Sequence, residues 1–124
     1  MRKMTILLAD DSSTVRTMVS RILREAGYDV LMAEDGARAI ELAQQHHPDM
    51  AVVDIVMPGL DGYAVCEKLK ELGSPLCELP IVFLTCVKSR ALELLGREYG
   101  AYLNKPVQAD QLLATIENEL SHSV

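Results

Sequence analysis

The chain has 124 residues, which suits one domain with an ordinary core, and its 49% hydrophobic and 24% charged content is that of a globular protein. A formal charge of −6 argues against general nucleic-acid binding, which needs a concentrated basic surface. No apolar run approaches the roughly 20 residues that span a bilayer.

The opening "MRKMTILLADD" turns acidic after a short apolar stretch and has no small-residue cleavage site. It is a poor signal peptide, so a cytoplasmic location is expected. "MTILLAD" (4–10) reads as a buried strand. "SSTVRTMVSRILREAG" (12–27) has apolar residues at 15, 18, 19, 22, 23 and 26, the spacing of a helix, with Ser12 or Ser13 as cap and Gly27 after its end. "YDVLMAE" (28–34) alternates as a strand does, and "GARAIELAQQHH" (36–47) is helical and stops before Pro48. "MAVVD" (50–54) predicts a third strand and "GYAVCEKLKELG" (62–73) a third helix. "LPIVFLT" (79–85) predicts a fourth strand and "KSRALELLGREYG" (88–100) a fourth helix. "AYLN" (101–104) is a short fifth strand, and "QADQLLATIENELS" (108–121) a closing helix.

Five strand–helix units without a linker or repeat predict an α/β fold over 1–124: a doubly wound, five-stranded parallel sheet in the flavodoxin-like order 2-1-3-4-5. In such sheets ligands bind outside the carboxyl ends of the strands. Those ends carry Asp10 and Asp11, Asp54, Thr85, and Lys105 reached through Asn104. From Asp54, the acid pair and the short Thr85 are each one strand away, about 4.8 Å, whereas Lys105 is two strands away and long enough to return. Singly, each has an ordinary reading: an Asp after a strand caps a turn, a Thr suits a strand, and a Lys is solvated. Together they are complementary chemistry. Three gathered carboxylates repel, so they take up a proton or a cation, and oxygen ligands without His or thiolate favour Mg²⁺ or Mn²⁺ over zinc. Carboxylate, divalent ion, Lys and hydroxyl are what phosphoryl transfer to Asp54 needs.

"LLADDSS", "AVVDIVMPGLDGY", "IVFLT" and "YLNKPV" resemble the receiver domain of two-component response regulators along the whole chain. The resemblance implies Asp54 as phospho-acceptor, Thr85 and Lys105 as phosphoryl contacts, and Asp10, Asp11, Asp54 and the Val56 backbone carbonyl as Mg²⁺ ligands. It implies a cis peptide between Lys105 and Pro106, and a switch in which Thr85 moves inward and Tyr102 follows. The signalling surface would comprise the fourth helix, the fifth strand and the closing helix. A histidine kinase or histidine phosphotransfer protein would be the donor and a downstream protein the target, with no nucleic acid or membrane insertion and a monomer or weak dimer. The resemblance makes the chain no enzyme beyond self-phosphorylation and slow self-dephosphorylation. Val56 and Val87 stand where fast-hydrolysing relatives carry amides or acids, and neither can orient a water. "DDSSTVR" and "DIVMPGLDGY" are similar to stand-alone chemotaxis or motility regulators.

The alternatives are a phosphorelay intermediate, the isolated receiver of a longer regulator, an aspartate-nucleophile phosphatase of the haloacid dehalogenase type, and a flavin mononucleotide binder. The phosphatase class carries its acids as Asp-x-Asp, whereas Asp10 and Asp11 are adjacent, and "ADDSS" puts two negative charges where a flavin phosphate would sit. In "YGAYLNKP", Gly100 and Ala101 directly precede Tyr102, a shorter approach to the fifth strand than many receivers have. Cys66, Cys77 and Cys86, at no metal-ligand spacing, read as reduced thiols, and Cys86 as a small buried hydrophobe. His46 and His47 read as the solvated end of the second helix. Val15, Met18, Val19 and Ile22 read as a docking face for the phosphodonor, with core packing the alternative reading for some of them.

Overall fold

A computed structural model of the chain describes residues 3–86 and 101–122. The order is β1 (Thr5–Ala9), α1 (Ser13–Glu25), β2 (Asp29–Ala33), α2 (Gly36–His46), β3 (Met50–Asp54), α3 (Gly62–Glu71), a 3₁₀ turn (Leu76–Glu78), β4 (Ile81–Thr85), β5 (Ala101–Asn104) and a C-terminal helix (Ala109–His122). The predicted helix at 88–100, Val87 and the approach through Gly100 lie outside the described residues.

The five strands pair in parallel in the order β2-β1-β3-β4-β5. Side chains alternate across a strand, so each strand feeds two cores. Leu7, Ala9, Ala51, Val53, Ile81 and Phe83 face α2 and α3. Ile6, Leu8, Met50, Val52, Val82 and Leu84 face α1 and the C-terminal helix. Every residue of β3 and of β4 is buried. That explains their unbroken apolar runs, since a strand covered on both faces has no solvent side to make polar. Fully burying one such side chain contributes about 1.5–3 kcal/mol.

Helix starts follow short polar side chains. Val15 donates its backbone N–H to Ser12 Oγ at 3.3 Å, Arg38 to Asp35 Oδ1 at 2.8 Å, and Ala64 to Asp61 Oδ1 at 2.8 Å. Gly27, with φ of +100°, takes the left-handed turn after α1. His46 and His47 are exposed at the end of α2, as expected.

Observed ends differ from the predicted ones by one or two residues, the usual fraying. One difference is structural: β4 begins at Ile81, because Pro75 and Pro80 bracket a 3₁₀ turn that the pattern did not reveal. Two expectations need correction. Cys86 is exposed, one residue past the end of β4, where the chain leaves the sheet. The predicted α1 docking face is largely core: Val19 is fully buried, and Val15 and Ile22 pack on the same cluster. Of that set Met18 alone is exposed, and it lies on the outer face with Ser13, Thr14, Thr17 and Arg21.

Candidate functional site at the carboxyl edge of the sheet

Parallel strands end on one side, and the order above puts β1, β3 and β4 next to each other. Asp54 closes β3 and is 5% exposed; Asp10 follows β1 and is fully buried, as is Thr85 at the end of β4. Asp11 is exposed. One oxygen from each of Asp10, Asp11 and Asp54 lies within 4.8 Å of the others.

The loop after β1 is held from both sides. Ser12 donates its backbone N–H to Asp10 Oδ1 at 2.9 Å, and Arg16, from the first turn of α1, donates Nη1–H to the Asp10 carbonyl at 2.7 Å. Asp54 Oδ1 accepts from the Val56 backbone N–H at 3.3 Å, while the Val56 side chain is largely exposed. Lys105 returns from beyond β5. Its backbone N–H donates to the Thr85 carbonyl at 2.7 Å, and the Lys105–Pro106 peptide is cis. The Ser74–Pro75 peptide, for which the sequence carried no expectation, is also cis. The Lys105 Nζ lies 2.8 Å from Asp10 Oδ2 and 3.3 Å from Asp54 Oδ2. Among the described residues, the buried Asp10 Oδ2 has this ion pair and no further polar partner.

One ammonium faces three carboxylates, so the cluster stays negative. Asp54 carries the consequence: burial, then repulsion from Asp10, pushes its pKa up to about 6, against the lowering influence of Lys105 and of the Val56 N–H. Burial by itself would lower the Lys105 pKa, but the two acids more than offset it and the result is raised. Lys105 is charged at neutral pH.

The residues fit a divalent cation. The donor set is all oxygen, three carboxylates are within reach of one ion, and a buried carboxylate oxygen lacks a hydrogen-bond partner. Asp10, Asp11 and Asp54 would hold it.

Three contributors were not singled out in the sequence. Arg16 fixes the acidic loop. Gly62 packs against the end of β3: a Cβ there would lie 2.6 Å from the Asp54 carbonyl oxygen and 2.9 Å from Ile55 Cα, and its N–H donates to the Ile55 carbonyl at 2.8 Å. Gly36 approaches the loop after β3, with Leu60 Cβ 2.7 Å from where its own Cβ would be. A glycine opening a predicted helix was the available signal; the surface it meets is not visible in one dimension.

Comparison with known proteins agrees with this arrangement. The profile of the response regulator receiver domain family matches residues 6–117. Response regulator MprA of Mycobacterium leprae is 41% identical over 115 residues, 91% of this chain and 49% of that protein. The protein named "Probable transcriptional regulator ycf27" of Porphyridium aerugineum is 36% identical over 122 residues, covering 97% and 49%. The chain thus spans about half the length of the curated relatives it matches. Among solved structures, Vibrio cholerae chemotaxis protein CheY4 is 33% identical with a TM-score of 0.87, over 94% of this chain and 98% of that one. Fold, site geometry and kinship agree: the chain belongs to the response regulator receiver domain family, the receivers of two-component signalling.

Proposed function

We propose that the chain, over 1–124, is a phospho-accepting receiver in which Asp54 takes a phosphoryl group from a phosphohistidine on a histidine kinase or histidine phosphotransfer protein. The observation that carries this reading is the meeting of Asp10, Asp11, Asp54 and the Lys105 ammonium in one pocket. In the transfer, an Asp54 carboxylate oxygen forms a bond to phosphorus while the phosphorus–nitrogen bond of the donor breaks, and the imidazole keeps that electron pair. A bound Mg²⁺, on Asp10, Asp11, Asp54 and the Val56 carbonyl, would supply charge neutralisation for the incoming phosphoryl oxygens. Lys105 holds one of those oxygens and Thr85 another.

The new charge then biases a two-state element. Thr85 moves toward the phosphoryl group and Tyr102, on β5, follows, changing the surface of β5 and the C-terminal helix; the predicted fourth helix, expected to share that surface, lies outside the described residues. A downstream protein reads that surface. The chain turns over no substrate; it gains one phosphoryl group and loses it slowly, since the Val56 side chain offers nothing to align a water. A diffusible messenger of chemotaxis or motility type is the leading role, supported by the likeness to Vibrio cholerae chemotaxis protein CheY4. The receiver part of a longer transcriptional regulator is the second reading, supported by the curated relatives.

Incubation with acetyl phosphate and Mg²⁺, followed by intact mass, tests the acceptor. One added phosphoryl group is expected in the parent and none in Asp54→Asn, and after donor removal the added mass should persist for minutes. A gain that survives the substitution places the acceptor elsewhere, and loss within seconds at 25 °C rejects slow hydrolysis.

A further inference from the structure

The chain has four tyrosines and one phenylalanine, and among the described residues three of these rings gather on the α3 side of β4 and β5. Phe83 is fully buried on β4, two residues before Thr85. The Tyr63 ring, in the first turn of α3, lies 5.0 Å from the Phe83 ring and is tilted 49° to it, within the range of favourable aromatic pairs. Tyr102 is the register partner of Phe83 on β5. Tyr63 and Tyr102 both pack, partly buried, against the core cluster that contains Phe83. Tyr63 also follows Gly62, whose backbone lies against the carbonyl of Asp54. Adjacent residues at the start of α3 therefore border β3 (Gly62) and the aromatic cluster (Tyr63).

We propose that Tyr63 is a positioning residue for Tyr102, holding it against Phe83 on the α3 face through ring packing and its hydroxyl. The proposal rests on the reading above, in which the phosphorylated receiver draws Tyr102 inward, and adds a residue of α3 to that switch. A partly buried phenol needs a polar partner, and Tyr102 is the neighbour whose own hydroxyl can give or accept. Burial raises the Tyr63 pKa, and Tyr102 and Asp61 raise it further, so the phenol keeps its proton at neutral pH and remains a donor. If Tyr63 favours the inward arrangement, it also favours the phosphorylated form, because two events that prefer the same arrangement are coupled reciprocally.

The test uses the full chain labelled with 3-fluorotyrosine and read by fluorine NMR, with Tyr63→Phe and Tyr102→Phe assigning two of the four signals. Tyr63→Phe keeps the ring and the core and removes one oxygen. In the free protein it should move the Tyr102 signal. With Mg²⁺ and beryllofluoride as the phosphoryl mimic, it should raise the half-saturating beryllofluoride concentration about two- to tenfold, the range of one net hydrogen bond. A merely structural Tyr63 would alter unfolding but not that concentration. An unmoved Tyr102 signal overturns the proposal, and so does an unchanged or lowered half-saturation. If the parent takes up no phosphoryl group, the acceptor reading fails instead, and the Tyr102 signal of free Tyr63→Phe still decides the contact.

Discussion

The proposed transfer uses Asp54 in a state that folding resists. As a carboxylate it is a nucleophile; as a buried carboxylate beside Asp10 it is costly, which is why its pKa stands near 6 rather than at the ordinary 3.8. Because the folded form binds this proton more tightly than the unfolded one, the group adds stability at low pH that is lost as pH rises through about 6. In chelator-treated buffer free of divalent ions, urea unfolding should therefore show the parent losing about 1 kcal/mol relative to Asp54→Asn between pH 5 and pH 7.5. A pH-independent gap between the two proteins would mean that Asp54 titrates normally. The same sign applies to function. Acetyl phosphate uptake needs the ionised acid, so it should rise through the same range.

At the scale of elements, the site depends on how closely α3 approaches β3. Asp61 caps the helix by accepting from Ala64, while Gly62 makes the contact with the Asp54 and Ile55 backbone. These neighbours should separate experimentally. Asp61→Ala removes one cap and should cost about 1 kcal/mol of unfolding free energy with phosphoryl uptake unchanged. Gly62→Ala forces a Cβ into space taken by backbone, which cannot swing aside as a side-chain end can. It should cost about 1–3 kcal/mol and also slow uptake at least tenfold, because the strain falls on the acceptor strand. Equal uptake rates in both variants would show that α3 does not position Asp54. The C-terminal side of β4 works similarly: Lys105 donates its N–H to the Thr85 carbonyl before its side chain turns back to the acids.

For the whole molecule, a negative pocket and an overall charge of −6 both favour cation uptake. A ligand that binds only the folded chain stabilises it, by about 2.7 kcal/mol at 100 times its dissociation constant. Mg²⁺ should accordingly raise the urea midpoint at pH 7.5, less so at pH 5 where protons compete, and hardly at all in Asp10→Asn. An equal rise in Asp10→Asn would place the ion elsewhere. No helix among the described residues is long and apolar enough to cross a membrane.

The alternation of apolar runs with helical spacing was enough to predict a doubly wound parallel sheet, because strand–helix–strand connections are right-handed and leave few topologies; the order 2-1-3-4-5 is the flavodoxin-like member of that small set. The acids, Thr85 and Lys105 were legible for a related reason: parallel strands end on one side, so residues far apart in the chain are read together once the order is known. Which side chains share a face was less accessible. Val19 follows the same spacing as Met18, yet one is core and the other exposed, and Cys86, read as a small buried hydrophobe, is exposed because the chain leaves the sheet after Thr85. Tertiary packing alone decided the pKa of Asp54, the clearance at Gly62 and the meeting of Tyr63 with Phe83. Each depends on distances between elements remote in sequence, where a shift of one ångström changes the energy and no local pattern records it.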